Sequence, residues 1–435
     1  ARKALDKAGL YGVRVSIDEG TLSALPYSDY FADLIVSENM LVSGRINASA
    51  KEMFRVLKPC GGVAYLGQPA ATMKFFKRLK AKHLRKWLTD AGIDDFEIID
   101  RNGVWVKLKR GQLPGAGRWT HQYADPGNTA CSDDEIVKCP LGVLWFGNPG
   151  PSKMVNRHAR AAAPLSANGR LFVQGDNVVM AYDAYNGVRL WERKIEGAVR
   201  TGVGHECSNL ACNDDSLFVA VKDRCLRLDG ATGRTLNTYT LPPSPDGKLR
   251  SWGYIAVVGD TLFGSTRTAG TVSDMLFAVD IKTGKHQWVY RGKAIAHTAI
   301  AIGDGRIFFA DSGITAEQRR EALKEKLERL KKLTGLDAVK LREEIDRADV
   351  RLVVALDANT GRVIWQRPVD LTDCGGSTLH AIYRDGVLLF CGAFQNGHFW
   401  REFFAGELAR RRITALNAED GRLLWSRALG YRTRP

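Results

Sequence analysis

No stretch of the 435-residue chain approaches the ~20 consecutive apolar residues needed to cross a bilayer as a helix. A membrane-spanning helix is not expected within it. None of the eight cysteines (Cys60, Cys131, Cys139, Cys207, Cys212, Cys225, Cys374 and Cys391) stands in a Cys-x-x-Cys, a haem-attachment Cys-x-x-Cys-His, or paired zinc-type spacing. Their number alone does not fix the redox compartment. Cys131 with Cys139, and Cys207 with Cys212, fit disulfides if that compartment is oxidising. Cys225 and Cys391 sit in strand-like runs, where a cysteine serves as a small buried hydrophobe. A signal peptide is also missing. Because Ala1 opens directly into a helix-like stretch, the expectation is that the true N-terminus lies elsewhere.

Acidic residues are the scarce sign of charge, 48 against 63 basic, for a formal +15. An excess of that size invites a nucleic-acid reading. The basic residues are mostly dispersed, however, with one dense stretch: Lys74, Lys77, Arg78, Lys80, Lys82, Arg85 and Lys86. Phe76, Leu79, His83 and Trp87 recur there at helical spacing. That pattern is the solvated face of an amphipathic helix, so a nucleic-acid partner is not expected. Hydrophobic residues are 45% of the chain, ample for packed cores, and the length implies two or three domains.

One phrase recurs five times. It reads AlaTyrAspAlaTyrAsnGlyValArgLeuTrp at 181–191 and LeuAspGlyAlaThrGlyArgThrLeuAsn at 228–237. It returns as AlaValAspIleLysThrGlyLysHisGlnTrp at 278–288 and AlaLeuAspAlaAsnThrGlyArgValIleTrp at 355–365. The last copy is AlaLeuAsnAlaGluAspGlyArgLeuLeuTrp at 415–425. Each position has a physical role. A strand ends at the Asp, whose carboxylate bonds backbone N–H groups of the turn that follows. The Gly accepts the positive φ of a tight hairpin. A new strand then carries the Trp. Another strand pair precedes each copy, as in GlyArgLeuPheValGln at 169–174 and GlyArgIlePhePheAla at 305–310. Four short strands per unit with an aromatic at a fixed point are the mark of a propeller blade.

The turn glycines are Gly187, Gly233, Gly284, Gly361 and Gly421. Their intervals are 46, 51, 77 and 60 residues, three of them near the length of one blade and the longest, between Gly284 and Gly361, well beyond it. That longer interval holds residues 315–348, which do not read as strands. Thr315 with Gln318 makes a capping box, and Leu323, Leu327 and Leu330 form an apolar stripe. Gly335 breaks the helix, and Leu341 and Ile345 begin a second stripe. The expectation is a charged helical hairpin inserted between strands of one blade.

Residues 113–435 resemble the quinoprotein alcohol-dehydrogenase-like propellers, whose PQQ-like repeats carry this Asp–Thr–Gly–Trp phrase. The opening TrpThrHisGlnTyrAlaAspProGlyAsnThrAlaCys at 119–131 is similar to the first segment of those propellers. The resemblance implies about five blades, each docked on the next through its Trp. Asn237 replaces the Trp of the second copy, so a weaker contact is expected there. Five blades are fewer than the eight usual in that family. Either the chain leaves a gap or three blades lie upstream of Ala1.

Before residue 112, strands and helices alternate. Strands are expected at 13–17, 33–37, 63–67, 96–100 and 104–109, with a helix at 47–57 and the basic helix after 67. Such alternation means an α/β sheet with a ligand crevice at the strand C-termini. The stretches GluGlyThrLeuSerAlaLeuProTyrSerAsp (19–29), PheAlaAspLeuIleValSer (31–37), ArgValLeuLysProCysGlyGly (55–62) and LeuThrAspAlaGlyIle (88–93) resemble the second half of class I SAM-dependent methyltransferases. The fold class expected is therefore a partial, Rossmann-like α/β domain over 1–112 followed by an all-β propeller over 113–435. By that resemblance Gly20, Thr21 and Leu22 lie beside the adenine of SAM, and Ser37 and Glu38 face its methionine end. Thr21 stands where an acidic residue usually bonds the adenine, and Cys60 interrupts the usual Gly or Pro–Gly context. The family's Gly-rich first motif and ribose-binding carboxylate are not in the chain.

A PQQ-dependent dehydrogenase needs an Asp base, a Ca²⁺ held by carboxylate and amide oxygens, and an Arg beside the quinone. No adjacent cysteine pair and no Glu/Asn/Asp calcium set is legible. Asp373, Arg200 and His205 could be assembled into a site, but nothing in their spacing requires it. Asp183, Asp229, Asp280 and Asp357 read as turn formers. His158, His205, His297, His380 and His398 could reach a central channel, yet scattered so they read as ordinary polar residues. Three readings remain. The preferred one is a propeller that binds a protein or small-molecule ligand and carries a methyltransferase-like domain. The second is an active SAM-dependent methyltransferase whose propeller recruits substrate. The third is a PQQ- and Ca²⁺-dependent dehydrogenase. The periplasm or cell envelope is the expected location, with the cytoplasm as alternative.

Overall fold

The computed structural model describes residues 1–147, 153–154, 162–199, 208–244, 246–270, 272–375, 379–392 and 411–429. The chain divides into two compact units. One comprises Ala1–Ala116, Glu135–Gly147 and Asp183–Val188; the other comprises Gly117–Asp134, Asn148–Tyr182 and Arg189–Pro435. No described helix is long and apolar enough to cross a membrane.

The first unit contains α1 (Arg2–Lys7), β1 (Leu34–Ile35), α2 (Glu38–Ser43), α3 (Ala50–Val56), β2 (Val63–Pro69), α4 (Ala81–Thr89), β3 (Glu97–Ile99) and β4 (Gly103–Lys109). Its sheet runs β1-β2-β4-β3. β1 and β2 are parallel, which requires a crossover, and α2 and α3 supply it. β4 runs antiparallel to both β2 and β3. α2 and α3 start where Ser37 and Ser49 accept the amides of Met40 and Glu52 on their side-chain oxygens. Met40, Met53, Leu57, Leu84 and Leu88 then pack with Ala64, Leu66, Val104 and Val106 into one core.

Two expectations fail in this unit. Residues 13–17 are not a strand, and Val13 is 82% exposed. Alternating β-branched residues make a strand only where a neighbouring strand pairs with them. The basic helix starts only at Ala81, because the Leu79 amide donates to Gln68 Oε1 at 2.8 Å and not to a helical carbonyl. Phe76 is left exposed as a result, while Leu84 and Leu88 carry the buried stripe.

The second unit is built from four-stranded antiparallel blades. Blade one is β5 (Leu165–Ala167), β6 (Arg170–Gln174), β7 (Val178–Asp183) and β8 (Arg189–Lys194); blade two is β9 (Leu210–Cys212), β10 (Ser216–Val221), β11 (Arg224–Asp229) and β12 (Thr235–Thr240). Blade three is β13 (Ser251–Val258), β14 (Thr261–Ala269), β15 (Val272–Asp280) and the first part of the long β16 (His286–Gly303). The rest of β16 opens blade four, which continues with β17 (Arg306–Asp311), β18 (Val350–Asp357) and β19 (Val363–Asp370). Blade five is β20 (Leu379–Arg384), β21 (Val387–Gly392), β22 (Arg412–Asn417) and β23 (Leu423–Ala428).

The recurring phrase forms the third-to-fourth-strand turn, and its Asp residues are turn formers, as expected. Asp229 Oδ1 accepts the amides of Ala231 and Thr232 at 3.0 and 2.8 Å, and Asp357 does the same for Asn359 and Thr360. Gly233 and Gly361 hold φ near +70° and donate to the Asp carbonyls at 2.8 Å. The Thr232 hydroxyl, its amide and that of Ala231 hold the Asp229 carboxyl below its usual range.

Between successive blades lies a separate core. Leu165, Val179 and Trp191 of blade one meet Leu217, Val219 and Leu228 of blade two. Equivalent layers join blades two and three, three and four, and four and five. Trp191 Nε1 donates to Gly230 O at 2.9 Å, Trp288 to Ala358 O at 2.9 Å, and Trp365 to Ala418 O at 3.0 Å. Within the first unit Trp145 makes the same bond to Ala184 O at 2.9 Å. The loss expected at Asn237 is repaired two residues later, where the Tyr239 hydroxyl donates to Ile281 O at 2.8 Å.

The insertion between β17 and β18 is helical, as expected. It forms α5 (Ala316–Ala322), α6 (Lys324–Leu330) and α7 (Gly335–Asp346), and Thr315 with Gln318 makes the capping box. Leu323 and Leu341 are buried. Arg319 caps the α7 end by donating to the carbonyls of Ile345 and Ala348.

Candidate functional site

The axis of the second unit is filled by Trp119–Asn128. This segment bonds the first strand of each blade in turn. Trp119 bridges to Ser166 of blade one, and the Cys212 amide of blade two donates to Thr120 O at 3.0 Å. The Val257 amide of blade three donates to His121 Nε2 at 3.0 Å. Ile302 of blade four donates to Pro126 O, and Tyr383 of blade five to Gly127 O, each at 2.8 Å. The Asn128 amide donates to Ile300 O at 2.7 Å and to Ala381 O at 3.0 Å, tying blades four and five together. His121 is buried, and because its Nε2 accepts a hydrogen bond, the neutral ring carries its proton on Nδ1, toward Thr120 Oγ1 2.8 Å away. Burial pushes its pKa down to about 3.

On one side of this segment lies a small cavity of about 30 Å³, lined by Tyr123, Asn128, Ser208, Tyr254, His297, Thr298 and His380 among others. His297 is 1% exposed. Neither of its ring nitrogens has a well-formed hydrogen bond, and the Val272 backbone only partly offsets the burial that lowers its pKa to about 4. It is therefore neutral at pH 7. His380 packs edge-on against the Tyr123 ring, with centroids 5.2 Å apart. On the other side a wider depression of about 540 Å³ is lined by Arg118, Asp125, Asp133, Asp304, Arg384 and Asp385. Its carboxylates already have partners: Asp125 accepts the Thr129 amide, Asp304 the Tyr383 hydroxyl, and Asp133 the Arg118 amide.

The quinone and its Ca²⁺ do not fit the described residues. Calcium takes six to eight oxygens with carboxylates among them, and among the described residues the axial cavity is lined by no Asp, Glu or Arg. Among the described residues no three metal-binding side chains cluster. Asp373 is held by Arg347 at 3.4 Å and is not on the cavity wall. Arg200, His205, His158 and His398 lie outside the described residues. His297 and His380 do line the axial cavity, where their scattered placement predicts ordinary polar residues. Cys131, Cys139 and Cys212 are free thiols, so Cys131 and Cys139 are not bridged; Cys207 lies outside the described residues. Cys225 is buried, as expected, and Cys391 half-buried.

In the first unit Gly20, Thr21 and Leu22 form an exposed turn, with Thr21 bridged to Ala24 and Leu22 O accepting the Ser49 amide at 3.1 Å. Ser37 caps α2 and Glu38 is exposed in its first turn. Among the described residues no hydrogen bond joins the turn at 20–22 to Ser37 or Glu38.

Repeated four-stranded blades with docked aromatics and a filled axis define a PQQ-like repeat β-propeller. The chain belongs to the outer membrane protein assembly factor BamB family, whose model matches residues 115–311 and 349–434, well over half of its length. The interruption coincides with the helical insertion. Among solved structures the chain is similar to BamB from Moraxella catarrhalis, at 15% identity and a TM-score of 0.38, covering 62% of this chain and 65% of that one. It is also similar to quinohemoprotein alcohol dehydrogenase from Comamonas testosteroni (15% identity, TM-score 0.46, 72% and 49% covered) and to a europium-containing methanol dehydrogenase (14%, 0.47, 72% and 58%). The chain thus spans about half to two thirds of the length of these structures. No curated protein matches it.

Proposed function

We propose that the propeller is a binding scaffold for a protein partner in the periplasm or at the cell envelope, and that the first unit is the second half of a class I SAM-dependent methyltransferase-like domain. The observation that carries the scaffold reading is the axial segment. Trp119–Asn128 bonds the first strand of each described blade and leaves a cavity whose described lining holds no Asp, Glu or Arg, which suits binding better than quinone chemistry. The family's description as an outer membrane assembly factor supports a protein partner and that location.

A second reading, methyl transfer with the propeller recruiting substrate, is favoured by the parallel β1–β2 pair. Ser37 and Glu38 directly follow β1, where α/β sheets bind ligands. Calorimetric titration of the chain with the quinone plus Ca²⁺, and then with SAM, separates the readings. No heat from the quinone is expected, and micromolar quinone binding would overturn the scaffold reading. Micromolar SAM binding that Glu38→Ala weakens would move the activity to the first unit. No heat from either ligand leaves the scaffold.

A further inference from the structure

The basic stretch of the first unit does not form the continuous amphipathic helix that its spacing predicts. Residues 70–89 hold seven Lys and Arg and no Asp or Glu. Among the described residues, Lys86 pairs with Asp90 at 2.9 Å, and the Arg85 guanidinium lies 5.6 Å from the centre of the Phe96 ring. Lys74, Lys77, Arg78, Lys80 and Lys82 are exposed, with no carboxylate partner among the described residues. Within this run Phe75 is 81% exposed and Phe76 50%. The solvated face of a helix carries charge in that position; here two adjacent aromatic rings stand in water inside a run of one sign.

The turn that carries the rings is fixed at both ends. The Thr72 hydroxyl donates to Leu41 O at 2.7 Å, and Thr72 O accepts the amides of Phe75 and Phe76, each at 3.1 Å. Further on, the Leu79 amide donates to Gln68, a buried side chain. Lys77 O lies so close to Gly44 that a Cβ there would come within 2.5 Å of it. Met73 and Leu79 join the core on either side of the pair, and Phe75 and Phe76 do not. The backbone thus presents the rings without the ordering cost that a loose loop meets on binding. We infer that residues 74–82 are a docking surface for an anionic lipid bilayer, with Phe75 and Phe76 entering the interface and the flanking cations meeting lipid phosphates. The surface is separate from the axial cavity and does not depend on what that cavity binds.

The chemistry of the patch selects this partner. Exposed apolar side chains rimmed by charge mark an interaction site, and cations without carboxylate partners call for a partner of negative sign. A membrane interface asks for both at once: aromatic rings at the boundary between headgroups and acyl chains, with Lys and Arg at the level of the phosphates. Clusters of four to eight Lys and Arg beside an apolar element meet anionic headgroups in this way. Single-stranded nucleic acid also takes aromatics and cations, but it stacks successive bases on rings spread along a basic groove. Phe75 and Phe76 are instead neighbours in one short turn, flanked on both sides by cations, and neither offers a hydrogen bond to a base edge.

The test is flotation of the whole chain with vesicles of phosphatidylcholine alone and of phosphatidylcholine with an equal part of phosphatidylglycerol. The anionic vesicles should take up the chain about tenfold or more better, and added salt should weaken uptake. A variant with both Phe75→Ser and Phe76→Ser keeps every charge and should partition about tenfold less or weaker still. Lys74→Gln with Lys77→Gln keeps both rings and should lose about tenfold on the anionic vesicles. Phe146→Ser removes a ring that is 93% exposed outside the stretch and should change nothing. Unchanged urea midpoints show that the variants fold. The inference is overturned if both kinds of vesicle bind equally, or if the double Phe variant partitions like the parent, which would leave only general adsorption of a basic chain. An equal loss with Phe146→Ser overturns it as well. So does a double Phe variant that loses binding to oligothymidylate and not to vesicles, which would make the occupant single-stranded nucleic acid.

Discussion

The turn glycines allow the tryptophan docking to be weighed against simple backbone strain. Gly284 and Gly361 both have φ of +71° or +69°, so an alanine at either position is forced into the left-handed region. That costs about 1–2 kcal/mol. The two differ in what a Cβ would meet. At Gly361 it would lie 2.6 Å from the Trp288 ring, whereas at Gly284 the nearest atom is Asn237 Nδ2 at 3.6 Å. Pushing a methyl group into a filled contact adds about 1–3 kcal/mol. Gly284→Ala should therefore destabilise by about 1–2 kcal/mol and Gly361→Ala by about 2–5 kcal/mol. Urea unfolding followed by tryptophan fluorescence reads both, as a shift in midpoint at constant slope. Equal losses, or a larger loss at Gly284, would refute the claim that an indole ring occupies the space a side chain would need.

Other outcomes follow from the same contacts. Tyr239→Phe removes one buried hydrogen bond and leaves the Ile281 carbonyl unpaired, a loss of about 1–3 kcal/mol measured by the same unfolding assay. Asn128→Ala breaks two of the bonds that tie blades four and five together; hydrogen exchange should speed up in β16 and β20 and not in β10. His121 and His297 are held neutral by burial, with folded pKa values of about 3 and 4, below the 6.5 of an unfolded histidine. The unfolded chain therefore takes up protons first, so their contribution is complete above pH 6.5 and is lost as pH falls from there toward about 4 for His297 and about 3 for His121. The slope in that window should approach about 1.4 kcal/mol per pH unit for each histidine, and His297→Phe should remove one of the two.

Much of the propeller was legible because its turns are local. Asp229, Thr232 and Gly233 lie within five residues and repeat, so the phrase alone specified hairpin and strand ends. The inserted helices were equally legible, since Thr315 and Gln318 cap one end and Gly335 starts the last helix. What escaped was long-range. Tyr239 replaces the missing Trp from a position two residues out of register, where no motif points. Trp145 docks like the others but lacks the phrase before it. The axial segment is the clearest case: Asn128 bonds Ile300 and Ala381, far along the chain, and nothing periodic announces it. Residues 13–17 failed for the opposite reason, a strand-like pattern in which only Val15 pairs, in an isolated bridge to Tyr11.

Hydrogen exchange at the amides of Cys212, Val257, Ile302 and Tyr383 tests the central claim most directly, because each donates to the axial segment. If Trp119–Asn128 fills the axis, all four should exchange as slowly as the amides inside β10 and β17. Exchange of these four at the rate of exposed loops, with β10 and β17 still protected, would mean an open axis and contradict the account.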